Sequence, residues 1–178
     1  MNKRLLTKNE ALILLVKIGC SKQLIKHCKA VEVLAVNIAK ACKKRGLNVD
    51  IQLISIGALL HDIGRTKTHG INHVIEGAQI AKLFNLPDSI VSIIECHIGG
   101  GITIVEAEKL GWQKKQYLPK TLEGKIVAYA DKLIEGSQRV KIERTIKKLS
   151  RELGETHPAI ERVKKLHYEI SSLIGDLF

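Results

Sequence analysis

The chain has 178 residues, 45% of them hydrophobic and six aromatic, and its 29 Lys and Arg against 18 Asp and Glu leave a net charge of +11. That length suits a single domain with one sizeable core, and the apolar fraction excludes disorder as the default reading. The longest uninterrupted aliphatic run, Ala11–Val16, is far short of the roughly 20 residues a bilayer span needs, and Lys8, Asn9 and Glu10 break the stretch a signal peptide would require, so no membrane contact is expected and the cytoplasm is the expected compartment.

The pattern is helical nearly throughout. Thr7-Lys8-Asn9-Glu10 reads as a capping box opening a helix that runs to Ile18 and stops at Gly19. Val31, Leu34, Ala35, Ile38, Ala39 and Cys42 line one face of a second helix that Gly46 closes. Asp50 is placed to cap a third, through Leu53, Ile56, Gly57 and Leu60, ending near Gly64. A fourth opens at Asn72 or His73 and ends before Asn85-Leu86-Pro87. Asp88 is expected to cap a fifth, which reaches His97 before Gly99-Gly100-Gly101 break it. Residues 98–121 form the longest irregular stretch, with one short helix over Val105–Leu110. A sixth long helix capped by Thr121 is expected to run through Ile134 to Gly136, and two more, about 141–153 and 158–173, finish the chain. No period-two strand pattern holds up, so the expected fold class is all-α.

The four cysteines, Cys20, Cys28, Cys42 and Cys96, have no C-x-x-C spacing and read as reduced, buried apolar residues. The charge is uneven: residues 1–60 hold 11 basic and 3 acidic side chains, whereas residues 61–131 hold 8 of each. A basic surface attracts phosphates, but so few aromatics offer little for base stacking. A solvated lysine-rich face is the simpler reading, and nucleic acid is an open but unfavoured partner.

Several polar residues fall on apolar stripes. His27 shares a face with Val31 and Leu34, His61 with Ile54, Gly57 and Ala58, His73 with Gly77 and Ile80, His97 with Ile90, Ile93 and Ile94, and Asp131 with Val127 and Ile134, while Asp62 adjoins His61. An unpaired buried imidazole costs about 1–3 kcal/mol and a lone buried carboxylate far more. Singly, each can be a hydrogen-bonded core residue. Together, on separate helices, they are satisfied by a shared divalent cation. Neighbours on a helix diverge by about 100°, so His61 and Asp62 reach one ion only near a helix end, which Gly64 supplies.

His61-Asp62-Ile63-Gly64 after Leu59-Leu60, with His27 upstream and Ala128-Tyr129-Ala130-Asp131 downstream, resembles the signature of the HD-domain metal-dependent phosphohydrolases over roughly residues 20–140. The resemblance implies one domain over residues 1–178, with an HD core at about 20–140 and C-terminal helices at about 141–178. It implies that His27, His61, Asp62 and Asp131 bind a metal. His73-Val74-Ile75-Glu76-Gly77-Ala78 and His97 are similar to the elements of a subset that holds two ions, in which Asp62 would be the bridging, catalytic residue and His73 and His97 would serve the second ion. The arrangement, including His97-Ile98-Gly99-Gly100-Gly101, is similar to a group of archaeal HDIG-containing proteins of undefined substrate. The G-Y-P element of the cyclic-di-GMP-hydrolysing members does not occur.

The function so implied is hydrolysis of a phosphomonoester or phosphodiester, with a nucleotide as the expected substrate, by hydroxide activated on one or two divalent ions (Mn, Fe, Co, Ni, Zn or Mg). Arg65, just after the pair, is the candidate substrate-binding residue, offering its donor fork to a phosphate oxygen. Two alternatives use the same residues: a di-iron HD-fold oxygenase, and a non-catalytic module that binds nucleotides or nucleic acid. His157 and His167 read as surface residues, and Trp112 and Tyr117 as packing within the long loop.

Overall fold

A computed structural model describes residues 3–175, and in it nine α-helices account for the architecture. Helix α1 (Lys8–Lys17) begins as the capping box requires: Thr7 accepts from the Glu10 backbone N–H, and the Glu10 carboxylate accepts from that of Thr7. Helix α2 (Lys22–Lys44) is the longest, and its inner face buries Val31, Leu34, Ala35, Ile38, Ala39 and Cys42. Helix α3 (Ile51–Leu60), capped by Asp50, is apolar on nearly every side because it runs between two apolar clusters. Ile54 and Ala58 join α2, α7 (Leu122–Lys132) and α9 (Pro158–Ile174), whereas Ile56, Leu59 and Leu60 join α1, α4 (His73–Leu83) and α5 (Asp88–Cys96).

The carboxyl end of α3 therefore lies where the two clusters meet, and the chain leaves it through a short 3-10 turn, Ile63–Thr66. That turn is pressed against the start of α4. A Cβ on Gly64 would collide with the His73 carbonyl oxygen and the Gly77 nitrogen, and one on Gly77 would come within 2.8 Å of Ile94 Cγ2. The backbones approach this closely only because both residues are glycine.

All four cysteines are free and buried. Outside the polar cluster described below, the one buried acid among the described residues is Glu32, which accepts from Lys8 Nζ and Ser55 Oγ, both at 2.7 Å, and ties α1 and α3 to α2. Among the described residues no helix is long and apolar enough to cross a membrane.

Two local expectations need correction. Asp88 does not cap α5; Pro87 holds the cap position, and Asp88 is the first helical residue, paired with Lys3 at 2.8 Å. A proline there ends the preceding turn without needing a side-chain cap. Helix α7 also stops earlier than expected, at Lys132, and Ile134–Glu135 (β1) pairs antiparallel with Gln138–Arg139 (β2) across a turn in which Gly136 takes φ +62. These four residues and one Ile102–Tyr117 bridge are the extended pairing among the described residues, so the fold is all-α. Short α6 (Ile104–Lys109) lies in the long loop, and Trp112 and Tyr117 pack edge-to-face there at 5.2 Å over Cys96, Ile102 and Ala107. Helices α8 (Ile142–Leu153) and α9 close the chain; Val163, Leu166 and Ile170 of α9 enter the α2–α3–α7 cluster.

The Gly64 contact gives a first test. Gly64→Ala must push apart two backbone segments and is expected to lower unfolding free energy by about 3 kcal/mol, the upper part of the usual overpacking range. A urea titration reads it; a change within about 0.5 kcal/mol, typical of harmless surface substitutions, would contradict the close packing.

Candidate metal centre

Six side chains converge from the ends of five helices. His61 is the residue that ends α3, His97 the one that ends α5, Asp131 lies in the last turn of α7, His73 is the first residue of α4, and His27 lies early in α2. Asp62 follows His61 outside the helix at φ −102 and ψ 14, which lets two adjacent side chains face one centre. Helix carboxyl termini carry partial negative charge, and three of them end here.

Each imidazole is oriented in the same way. Nδ1 meets a backbone carbonyl in all four: His27 at Gly136 O (2.8 Å), His61 at Ala58 O (2.7 Å), His73 at Gly70 O (2.8 Å) and His97 at Ile94 O (2.9 Å). A carbonyl only accepts, so Nδ1 carries the proton and Nε2 turns a lone pair inward. For His61 and His97 the acceptor is a carbonyl in the last helical turn, one of the groups a helix end leaves without a partner.

The inward atoms fall into two sets. His27 Nε2 and His61 Nε2 lie 3.2 and 3.4 Å from Asp131 Oδ1, and 3.8 and 3.7 Å from Asp62 Oδ2. His73 Nε2 and His97 Nε2 lie 3.1 and 3.4 Å from Asp62 Oδ1. The two carboxylate oxygens of Asp62 thus face different pairs of histidines. His73 and His97 also bring their Nε2 atoms to 3.2 Å of each other, an approach of two lone pairs while both Nδ1 atoms keep their protons. His61, Asp62, His73 and His97 are each no more than 3% exposed, and His61 Nε2 and Asp62 Oδ1 are buried without a hydrogen-bond partner.

The electrostatics agree. Burial alone would raise both carboxyl groups, but the imidazoles of His61, His73 and His97 hold Asp62 well below the ordinary carboxylate range, and Lys132, His27 and His61 do so for Asp131. Burial pushes His97 down to about 4, leaving it neutral. It also works against a charged His61, but Asp62 and Asp131 outweigh it and raise that imidazole. The raised value records the attraction of two ionised carboxylates for positive charge, whether a proton or a metal carries it. Orphaned buried acceptors, uniformly inward lone pairs and ionised acids are the donor set a divalent transition ion takes. Two groups, His27 with His61 and Asp131, and His61 with Asp62 and His97, have ligand atoms within 4.8 Å of one another.

Four of the six, His27, Asp62, His73 and Asp131, line a cleft of about 840 Å³, while His61 and His97 are fully buried beside them. Arg65 lines the cleft, and its Nε donates to Asp62 Oδ2 at 2.6 Å and its Nη1 to the His69 carbonyl at 3.2 Å, so it positions Asp62. Two contributors escape the sequence reading. Lys132 donates to the outer oxygen of Asp131 at 2.6 Å from a side chain only 13% exposed; its signal is a cation directly after an acid at a helix end. Helix α8 supplies Arg144, Lys148 and Leu149 to the cleft wall, foreshadowed by a strongly one-sided distribution of apolar residues. His157 also lines the cleft, while its Nδ1 accepts from the Ala159 N–H, and His167 meets the Tyr129 hydroxyl at 2.7 Å, so neither is a plain surface residue.

The family model for the HD domain matches residues 24–136. An uncharacterized protein of Methanocaldococcus jannaschii is 48% identical over 155 residues, covering 87% of this chain and 92% of that one. A tRNA (cytidine(56)-2'-O)-methyltransferase of Thermoplasma volcanium is 46% identical over 162 residues, 91% of this chain but 46% of the methyltransferase. A ribonuclease Y of Acidothermus cellulolyticus is 30% identical over 125 residues, 67% of this chain and 22% of the relative. The chain thus spans about half of the methyltransferase.

A cation bound to the folded state alone stabilises it by mass action, by about 2.7 kcal/mol at a concentration 100 times its dissociation constant. Chelator-treated protein is expected to melt roughly 5–10 °C higher with Mn²⁺, Co²⁺ or Zn²⁺. Differential scanning calorimetry measures it, and Asp62→Asn is expected to remove most of the gain. A wild-type melt indifferent to every ion tested would show that the cluster holds none.

Proposed function

The chain belongs to the HD-domain family, and from that premise we propose that it is a metal-dependent phosphohydrolase acting on a phosphoester, with a nucleotide as the substrate class. The observation that carries this reading is the pair of buried, partnerless acceptors, His61 Nε2 and Asp62 Oδ1, among inward-facing imidazoles at a cleft that His27, Asp62, His73 and Asp131 line.

In this reading His27, His61, Asp62 and Asp131 would hold one divalent ion, and His73, His97 and Asp62 would hold a second. Such ions supply Lewis acidity toward phosphoryl oxygens and make water acidic enough to give hydroxide near neutral pH. The protein's own contribution is positional. The four Nδ1–H···O=C bonds fix the tautomer of the neutral imidazoles, so that Nε2 is the nitrogen presented to the centre. Asp62 offers one oxygen to each set, Arg65 donates to the Oδ2 that faces His27 and His61, and Lys132 neutralises the outer oxygen of Asp131. The unused Arg65 Nη2 and the Lys132 ammonium are available to a phosphate oxygen in the cleft. Leu24, Ile71, Ile98 and Ile134 provide an apolar wall that limits water around it.

A second reading places the scissile phosphoester in an RNA chain. It is supported by relatives named for enzymes that act on RNA, a ribonuclease and a tRNA methyltransferase, and by the excess of basic over acidic residues.

The test is a panel of phosphomonoesters, phosphodiesters, nucleotides and short RNA oligomers incubated with protein loaded with Mn²⁺, Co²⁺, Ni²⁺ or Mg²⁺. Turnover is expected, and His61→Ala and Asp62→Ala should each reduce kcat/KM by more than about 100-fold, beyond the usual loss from disturbing a metal's outer partners. Turnover unchanged in both variants would refute the assignment. Arg65→Ala is expected to cost about 10–100-fold in kcat/KM, as the loss of one charged hydrogen bond implies.

A further inference from the structure

The excess of positive charge at the amino end is not spread over the surface. Six exposed lysines belong to α2: Lys22, Lys26, Lys29, Lys40, Lys43 and Lys44. Their spacing at helical period places them along one face, with Val33 and Asn37 between them. From Lys22 to Lys44 the row spans about 33 Å at 1.5 Å per residue.

None of these ammonium groups has an ion-pair partner among the described residues. Elsewhere exposed cations are mixed: Lys164 pairs with Glu161, Lys114 with Glu108 and Arg144 with Glu135, whereas Lys67, Lys147, Arg151 and Lys165 have no ion-pair partner among the described residues but do not form a row of this length on one helix. The one acid on α2, Glu32, is turned inward to Lys8 and Ser55. The result is a straight row of unneutralised charge.

We propose that this outer face of α2 is a docking surface for the sugar-phosphate backbone of RNA. The match is one of charge: a line of like cations suits a line of regularly spaced phosphates. The choice of RNA among phosphate polymers rests on the second functional reading above. A lipid surface fits less well. A helix lying on a bilayer inserts an apolar face, whereas the apolar face of α2 is filled by the core and the outer row carries no aromatic residue. The row also leads to the centre, because Leu24 and His27, at the same end of α2 as Lys22 and Lys26, line the cleft.

The experiment is fluorescence anisotropy of a labelled 20-nucleotide single-stranded RNA at several salt concentrations. It compares wild type, the triple variant Lys26→Gln, Lys29→Gln, Lys40→Gln, and a triple of equal charge change on exposed positions of α8 and α9, Lys147→Gln, Lys164→Gln, Lys165→Gln. With five or six phosphates neutralised, log K is expected to fall against log salt with a slope of about −4. The α2 triple should bind at least tenfold more weakly, with a slope shallower by about 2, while the control stays within about twofold. Both variants should melt like wild type and turn over a small phosphoester at its rate. Equal losses in the two triples, no RNA binding by wild type, or binding of the α2 triple only to anionic phosphatidylglycerol vesicles being impaired would each overturn the proposal. RNA binding through α2 by a protein that hydrolyses nothing would leave the docking surface standing and remove the enzymatic reading.

Discussion

The site depends on a hydrogen bond repeated four times, from an imidazole Nδ1–H to a backbone carbonyl. A histidine side chain swings about two bonds and carries its proton on either nitrogen. Fixing Nδ1 removes both freedoms at once, because it sets the ring's direction and leaves Nε2 as a bare acceptor. Two of the acceptors are carbonyls in the last turns of α3 and α5, which those helices leave unsatisfied by their own geometry. A third comes from Gly136, in the hairpin turn after α7. Terminating a helix at the right residue thus does two things: it frees a carbonyl and places the ring that claims it.

Helix ends rather than helix faces build the centre, which explains the demand for close backbone packing around it. Asp62 can face the histidines of α4 and α5 only if the turn after α3 lies against the start of α4, and Gly64 and Gly77 provide that approach. The apolar clusters on either side of α3 supply the rigidity. The charges are then balanced by neighbouring cations: Arg65 donates to Asp62 Oδ2, the oxygen that also faces His27 and His61, and Lys132 donates to Asp131 Oδ2, the oxygen those histidines do not approach.

Much of this could be read from the chain itself. Thr7, Asp50 and Thr121 cap the helices they precede, and the polar residues interrupting apolar stripes, His27, His61, His73, His97 and Asp131, are the ones brought together with Asp62. Helical period reveals them because it says which face a residue shares, and an unexplained imidazole on that face is conspicuous. What stayed hidden lacks such a signature. The carbonyl of Gly136 lies 109 positions from the histidine it orients, and backbone acceptors leave no mark in a sequence. The two-residue strands are too short to show alternation, and the cleft-facing residues of α8 look like one charged side of an exposed helix until the tertiary packing is known.

The match to the HD-domain family stops at residue 136, yet the folded unit does not. Val163, Leu166 and Ile170 on α9 are buried with α2, α3 and α7. Arg162 of the same helix presses on Gly100 and pairs with Glu106 at 2.8 Å. The turn it braces begins at the residue after His97. A shortened version ending at the family boundary would therefore lose more than a tail: it would strip the backing from the loop beside one of the four imidazoles and leave a raw apolar wound where the last helix had lain.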